Sequence, residues 1–142
     1  MFGTLASPDG LTMRFSATLE NVDAACSEVS KMIIDRGAGK SVFATELLMR
    51  EALNNAVLHG SRRDPAKTVE CAVRFDQDHL VIEVHDEGDG FGWQSAIRET
   101  RAMGSPSGRG LPIMKAYAAE VSFNEKGNGL LLKVSLPREE AL

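Results

Sequence analysis

The chain has 142 residues, of which 43% are hydrophobic and 25% are charged, with a formal net charge of -4 at pH 7. This length predicts a single domain, residues 1–142, built around one core. The negative charge argues against general electrostatic binding to nucleic acid or to an anionic membrane surface. The sequence shows neither a secretory leader nor an apolar run of about 18 residues, which predicts a cytoplasmic protein without a membrane span.

The first half of the chain predicts one strand followed by two helices. Apolar residues alternate with polar ones over residues 11–17, which is typical of a strand with one buried face. Apolar residues recur at helical spacing over residues 21–36, and Gly37 follows as a helix stop. A second helix is predicted over residues 41–59, with Gly60 ending it.

The next segment predicts a hairpin and a lid. Residues 69–75 and 80–85 are two alternating runs joined by a short polar turn, which indicates antiparallel strands. Residues 88–107 are rich in glycine, serine and charge and have few regularly spaced apolar positions. We interpret this segment as a mobile lid over a ligand site.

The last part of the chain predicts a third helix and a closing hairpin. The helix begins at residues 110–112, where proline is tolerated in the first turn, and Met114 belongs to its inner face. Strands are predicted over residues 121–125 and 130–136, joined by a tight turn in which residues 127–129, Gly-Asn-Gly, supply positive backbone angles.

This order of elements predicts an α+β fold. The expected architecture is a two-layer sandwich, in which helices cover one face of a mixed, mostly antiparallel sheet of about five strands. The ligand cleft is then expected between the helices and the sheet.

A glutamate and an asparagine on the second helix give the sharpest chemical signal. Glu51 and Asn55 are four residues apart and share one helix face, so a carboxylate base and an amide oxygen that suits Mg²⁺ can meet one phosphate chain. Glu51 taken alone fits a solvent-exposed helix face better than a catalytic position. Because asparagine is a poor helix former, Asn54 beside Asn55 favours a functional need for a side-chain oxygen there.

Two glycine-containing motifs follow downstream. Asp86 ends a strand where its carboxylate can accept a hydrogen bond from an adenine amine, and Gly88 and Gly90 let backbone approach a nucleotide. The same residues also fit an ordinary turn. A calcium loop fits poorly because the alternation of oxygen ligands fails at Gly88, and a dinucleotide-binding fold lacks the required helix directly after the glycines.

The second glycine motif precedes the third helix. Free amides at a helix start can bind phosphate, although any glycine pair before a helix would look similar. Arg109 fits a phosphate contact, a contact with an acidic partner, or a solvent-exposed position. The motif consists of Gly108, Arg109, Gly110 and Leu111.

In this order the three motifs resemble the N box and glycine boxes of the GHKL superfamily, the Bergerat-fold ATPases and kinases. Residues 55–60, Asn-Ala-Val-Leu-His-Gly, and residues 110–114, Gly-Leu-Pro-Ile-Met, are most similar to the bacterial anti-sigma-factor serine/threonine kinases. The resemblance extends from the opening strand to Leu136. It implies ATP and Mg²⁺ as cofactors, with Glu51 as the general base and Asn55 as the magnesium ligand.

The same resemblance implies the remaining roles and the partners. Asp86 corresponds to the adenine-binding carboxylate, and the nucleotide loops correspond to Gly88, Gly90, Gly108, Arg109, Gly110 and Leu111. Such kinases phosphorylate a serine of an anti-anti-sigma protein with a STAS domain, sequester a sigma factor and form homodimers. Two alternatives stay open: a nucleotide-regulated anti-sigma protein or adaptor that transfers no phosphate, and a stand-alone histidine-kinase-type ATPase domain.

Overall fold

The computed structural model describes residues 1–88, 114, 118–126 and 128–136. Its described strands form one six-stranded sheet in the order β1-β2-β3-β4-β6-β5. Each neighbouring pair is antiparallel. The strands are β1 (Phe2–Ser7), β2 (Gly10–Ser16), β3 (Thr68–Asp76), β4 (His79–Asp86), β5 (Glu120–Phe123) and β6 (Gly129–Ser135).

Two α-helices connect β2 to β3. The first, α1 (Leu19–Asp35), begins where the Thr18 hydroxyl accepts a hydrogen bond from the Asn21 N–H at 3.2 Å. A single 3₁₀ turn, Gly39–Ser41, precedes the second helix, α2 (Val42–Asn55). Among the helices that the structure describes, none is long and apolar enough to cross a membrane.

Both helices pack on one face of the sheet, as the sequence predicts for a two-layer α+β sandwich. Alternate residues of each long strand are buried, and they form one core with the inner faces of α1 and α2. From β4 the core takes Leu80, Ile82 and Val84, and from α2 it takes Leu48 and Leu53. The opposite face is more polar: Arg74 of β3 and Glu83 of β4 form an ion pair there at 3.1 Å.

The structure differs from the sequence prediction at three places. It adds β1, an exposed edge strand whose own residues have no clear apolar alternation. It ends the α-helical part of α2 at Asn55 and continues as a π-helical turn, Ala56–Gly60. The predicted positive backbone angles at the β5–β6 turn are wrong for Asn128 and Gly129, because the described residues with positive φ lie elsewhere.

Two other predictions fall largely outside the described residues. Of the third helix, only Met114 is described as helical; it is fully buried, and its carbonyl accepts from the Ala118 N–H at 2.9 Å. Of the lid predicted over residues 88–107, only Gly88 is described.

Candidate functional site

A pocket opens between α2 and the sheet at the end of β4, where the cleft is expected. Asn55 and Asp86, predicted independently from two motifs, both line it. The pocket is narrow, with a cavity volume of about 20 Å³ between the described residues. The other lining residues described are Ala52, Ala56, Val84, Phe123, Asn128, Gly129 and Leu130.

The pocket wall is largely apolar, which suits a flat aromatic base. Ala52 and Ala56 are one turn apart on the helix side and leave space because their side chains are small. Val84 and Leu130 are cross-strand partners on the sheet side, and Phe123 adds an aromatic side chain from β5. Asp86 therefore places a hydrogen-bond acceptor in mostly hydrophobic surroundings.

Burial raises the pKa of the Asp86 carboxyl above its ordinary value. The Gly88 N–H opposes this effect, because it donates to Oδ1 of Asp86 at 2.7 Å, and the positive charges of His85 and Lys67 oppose it further. The Gly88 bond uses one carboxylate oxygen. A ligand that donates a hydrogen bond would stabilise the ionised form, as an adenine amine does.

Two glycines pack directly against this carboxylate. A Cβ at Gly60 would collide with the Asp86 carboxylate, and a Cβ at Gly88 would collide with the Gly60 carbonyl oxygen and approach Oδ1 of Asp86 to 2.8 Å. Both positions therefore need glycine for steric reasons. Together they form a cradle around Asp86, and this local geometry fits the binding of an adenine ring edge.

The π-helical turn after α2 brings Gly60 into this position. The Ser61 N–H donates to the Ala56 carbonyl at 2.8 Å, which is the i→i+5 bond of a π-helix. Such single wide turns often occur at functional sites. The turn directly follows Asn55, so a single stretch of chain supplies both the candidate magnesium ligand and the residue that contacts Asp86.

Asn128, from the β5–β6 turn, ties this turn to the end of β4. Its carbonyl accepts from the Asp86 N–H at 3.0 Å, and its Nδ2 lies 3.4 Å from the Asp86 carbonyl and 3.5 Å from the Gly88 carbonyl. Asn124 contributes as well, because its Nδ2 donates to Oδ1 of Asn128 at 2.8 Å. Asn128 thus positions the backbone on which Asp86 and Gly88 lie.

Glu51 lies one turn before Asn55 and is half-buried, but it is not among the residues that line the pocket. Asn55 and Asp86 are therefore brought together by the structure, and Gly88 adjoins them. Glu51 shares the helix and the face of Asn55. The predicted positions that lie outside the described residues are Gly90, Gly108, Arg109, Gly110 and Leu111.

Gly60 and Asn128 contact Asp86 but were not predicted as site residues from the sequence motifs. Gly60 had only the signal of a helix stop and Asn128 only that of a turn, and neither signal reveals a contact with Asp86.

Within the described residues no cluster of three or more His, Cys, Asp or Glu side chains could hold a metal ion. A magnesium ion here would rely on Asn55 and on the phosphates of a ligand, the arrangement typical of Mg²⁺–nucleotide sites.

The chain belongs to the histidine kinase-like ATPase domain family, whose profile matches residues 15–134. A solved histidine kinase domain, from the blue-light activated histidine kinase of Erythrobacter litoralis EL346, superimposes with a TM-score of 0.50 at 17% identity. That match covers 82% of this chain and 60% of the other chain, and it supports the fold.

The chain is also similar in sequence to anti-sigma F factors. The anti-sigma F factor of Geobacillus kaustophilus is 29% identical over 139 residues, covering 92% of this chain and 94% of the relative. The anti-sigma F factor of Clostridium perfringens (strain 13) is 28% identical over 131 residues, covering 87% of this chain and 94% of the relative. The match therefore spans nearly the whole length of these relatives.

Proposed function

We propose that the chain is an ATP-dependent serine/threonine kinase that also sequesters a sigma factor. The observation that carries this proposal is the shared pocket of Asn55 and Asp86, in a chain similar to anti-sigma F factors along most of its length. The proposed partners are an anti-anti-sigma protein with a STAS domain and a sigma factor. A cytoplasmic homodimer is the proposed working form.

In this proposal Asp86 selects the base. Its carboxylate accepts a hydrogen bond from the amine of adenine, whereas guanine has a carbonyl at the same place. A partly buried carboxylate that faces a carbonyl keeps its desolvation cost without a bond, typically about 1–3 kcal/mol. The site should therefore prefer ATP to GTP.

In this proposal Asn55 is the magnesium ligand and Glu51 is the general base. The Asn55 side-chain oxygen would hold Mg²⁺, and Glu51 would accept the proton of a serine or threonine hydroxyl on the partner. Bound ATP and Mg²⁺ supply the phosphoryl group and offset the phosphate charges. The predicted glycine loops, including Gly108 and Gly110, would donate backbone N–H groups to phosphate oxygens.

The proposal is tested by incubation with labelled ATP and candidate STAS-domain partners. We expect label on a serine or threonine of the partner. Glu51→Ala should retain ATP binding and lose at least about 100-fold in transfer rate, because general-base catalysis typically contributes 10²–10⁴-fold. Glu70→Ala, on the exposed face of β3, is the matched control and should leave transfer unchanged.

The paired asparagines supply a second matched test. Asn55→Ala should lose magnesium-dependent ATP binding, whereas Asn54→Ala, one residue earlier and outside the pocket lining, should retain it. Equal transfer by wild type and Glu51→Ala would remove the base assignment. ATP binding with no transfer to any partner would favour the non-catalytic anti-sigma alternative.

A further inference from the structure

Two consecutive arginines in the loop between the π-helical turn and β3 have an unusual backbone conformation. Arg62 and Arg63 have φ angles of 51° and 59°, in the left-handed region. A residue with a Cβ is strained there, whereas glycine and asparagine adopt this conformation at lower cost. In the part of the chain that the structure describes, Gln77 in the β3–β4 turn is the other residue besides glycine with a positive φ. An arginine pair is therefore an unfavourable choice for this loop on backbone grounds.

Backbone hydrogen bonds hold the loop in this conformation. The Arg63 N–H donates to the Val57 carbonyl at 2.8 Å. The Asp64 N–H donates to the Ser61 carbonyl at 3.0 Å, and the Asp64 carboxylate accepts from the Ala66 N–H at 2.9 Å. None of these bonds uses an arginine side chain. The loop geometry thus does not require arginine, which indicates that the two side chains have a role outside the fold.

The side chains of Arg62 and Arg63 are exposed and their charges are not neutralised. Among the described residues, no carboxylate forms an ion pair with either of them. Lys67, four residues further on, is half-buried and adds a third positive charge. This charge opposes the increase that burial causes in the pKa of Asp86, so Lys67 extends the positive surface toward the candidate pocket. We call these two arginines and the lysine the basic patch.

We propose that the basic patch binds an acidic segment of a protein partner. A guanidinium can hold a carboxylate through two parallel hydrogen bonds, so two adjacent arginines suit a segment with closely spaced acidic side chains. Such a segment would neutralise the charge that the loop exposes. The patch follows Gly60, which packs against Asp86, so the bound segment would lie beside the base end of the candidate nucleotide site.

Acidic groups around the patch favour a short segment over a long polyanion. Asp64 lies next to the arginines in the sequence. The Glu87 carboxylate accepts from the Thr68 N–H at 3.1 Å, which places it beside Lys67. The whole chain has a formal net charge of -4. Nucleic acid would meet these negative charges as well as the patch, and residues 61–67 include no aromatic side chain on which a base could stack.

Nuclear magnetic resonance of the isotope-labelled full chain tests the proposal. The probe is a short peptide in which glutamate alternates with glycine. At low ionic strength we expect the backbone N–H signals of the loop, residues 61–67, to shift as the peptide is added. The same peptide with glutamine in place of glutamate should cause no shift, and added salt should weaken binding because exposed charges are screened.

The variant that combines Arg62→Gly with Arg63→Gly tests the patch directly. Glycine permits the same backbone conformation and removes both charges, so the dissociation constant of the glutamate peptide should rise at least about tenfold. The matched control combines Arg14→Gln with Lys31→Gln. It removes two exposed positive charges from other surfaces and should leave the dissociation constant unchanged. Asp86→Asn should also still bind the peptide, so this surface and the nucleotide site are tested independently.

Thermal unfolding tests the argument from backbone strain. The double glycine variant should unfold at the same temperature as the wild type or at a higher one, because glycine relieves strain at both positions. Gln77→Gly relieves the same kind of strain in the β3–β4 turn. It should change the unfolding temperature in the same direction and leave peptide binding unchanged.

Each measurement has a result that would overturn the proposal. A glutamate peptide that causes no shift in the wild type, or that binds the double glycine variant equally well, would exclude the binding surface. Tighter binding of a single-stranded oligonucleotide of the same charge would assign the patch to nucleic acid instead. A marked fall in the unfolding temperature of the double glycine variant would show that the arginines stabilise the loop itself.

Discussion

Ionisation of the Asp86 side chain has opposite effects on fold stability and on the proposed nucleotide binding. Burial raises its pKa, so the folded state holds this proton to a higher pH than the unfolded state does. Between the unfolded and the folded pKa of Asp86, the stability of the fold decreases as pH rises, because ionisation costs more in the folded protein. In the proposed function, nucleotide binding needs the ionised form of this carboxylate. Affinity for ATP should therefore be fully present above the folded pKa and decline as pH falls through it.

This pH dependence gives a first prediction. ATP affinity of the wild type, measured by titration calorimetry between neutral pH and mildly acidic pH, should fall more steeply than that of Asp86→Asn. The variant corrects for protonation of ATP itself, which affects both proteins. Parallel pH profiles would contradict the role of Asp86. At neutral pH the variant should unfold at the same temperature as wild type or a higher one, because it removes a charge that is costly to bury.

Gly60 gives a second prediction at the same scale. Gly60→Ala should destabilise the fold by about 1–3 kcal/mol and weaken ATP binding, because the new methyl group meets the Asp86 carboxylate. Adding Asp86→Ala should recover part of the stability lost, since it removes the colliding group. Denaturant unfolding of the two single variants and the double variant measures this coupling. Additive losses would show that Gly60 and Asp86 do not compete for space.

At the scale of elements, periodicity predicted α1, α2, β2, β3, β4 and the closing hairpin. Each of these buries one face, so its apolar spacing records its environment. β1 was missed because an edge strand has little buried surface, and its conformation is set by pairing with β2. The change from α2 to a π-helical turn was missed as well, because residue spacing in the sequence does not distinguish a single π-helical turn from a continued α-helix.

The candidate site, like the fold, was predicted in part from the sequence. Asn55 was singled out because asparagine is a poor helix former at a mid-helix position, and Asp86 because glycines follow it at a strand end. Asn128 was not found, because its role depends on the β5–β6 turn lying beside the end of β4, which only the folded sheet determines.

The contact of Asn128 with the backbone at the end of β4 gives a third prediction. Asn128→Ala should weaken ATP binding several-fold and lower stability by no more than about 1 kcal/mol, because its side-chain bonds to Asp86 and Gly88 are long. Asn21→Ala is a useful comparison, since its amide bonds to Met1 and Ser16 carbonyls far along the sheet. It should affect stability without changing ATP affinity. Calorimetry and thermal unfolding of both variants separate the two effects.

At the scale of the whole molecule, the sheet separates two surfaces. The candidate nucleotide pocket lies at the end of β4 beside α2, and two strands, β2 and β3, separate β4 from the edge strand β1. The helix layer covers the core on one face of the sheet, while the other face carries the ion pair of Arg74 with Glu83.

The most direct test of the account is calorimetric titration of the wild type and Asp86→Asn with ATP and with GTP in the presence of Mg²⁺. We expect the wild type to bind ATP and to bind GTP at least about tenfold more weakly, and Asp86→Asn to lose at least about tenfold in ATP affinity. A wild type that binds no ATP, or an Asp86→Asn variant that binds ATP as tightly as the wild type does, would contradict the nucleotide site.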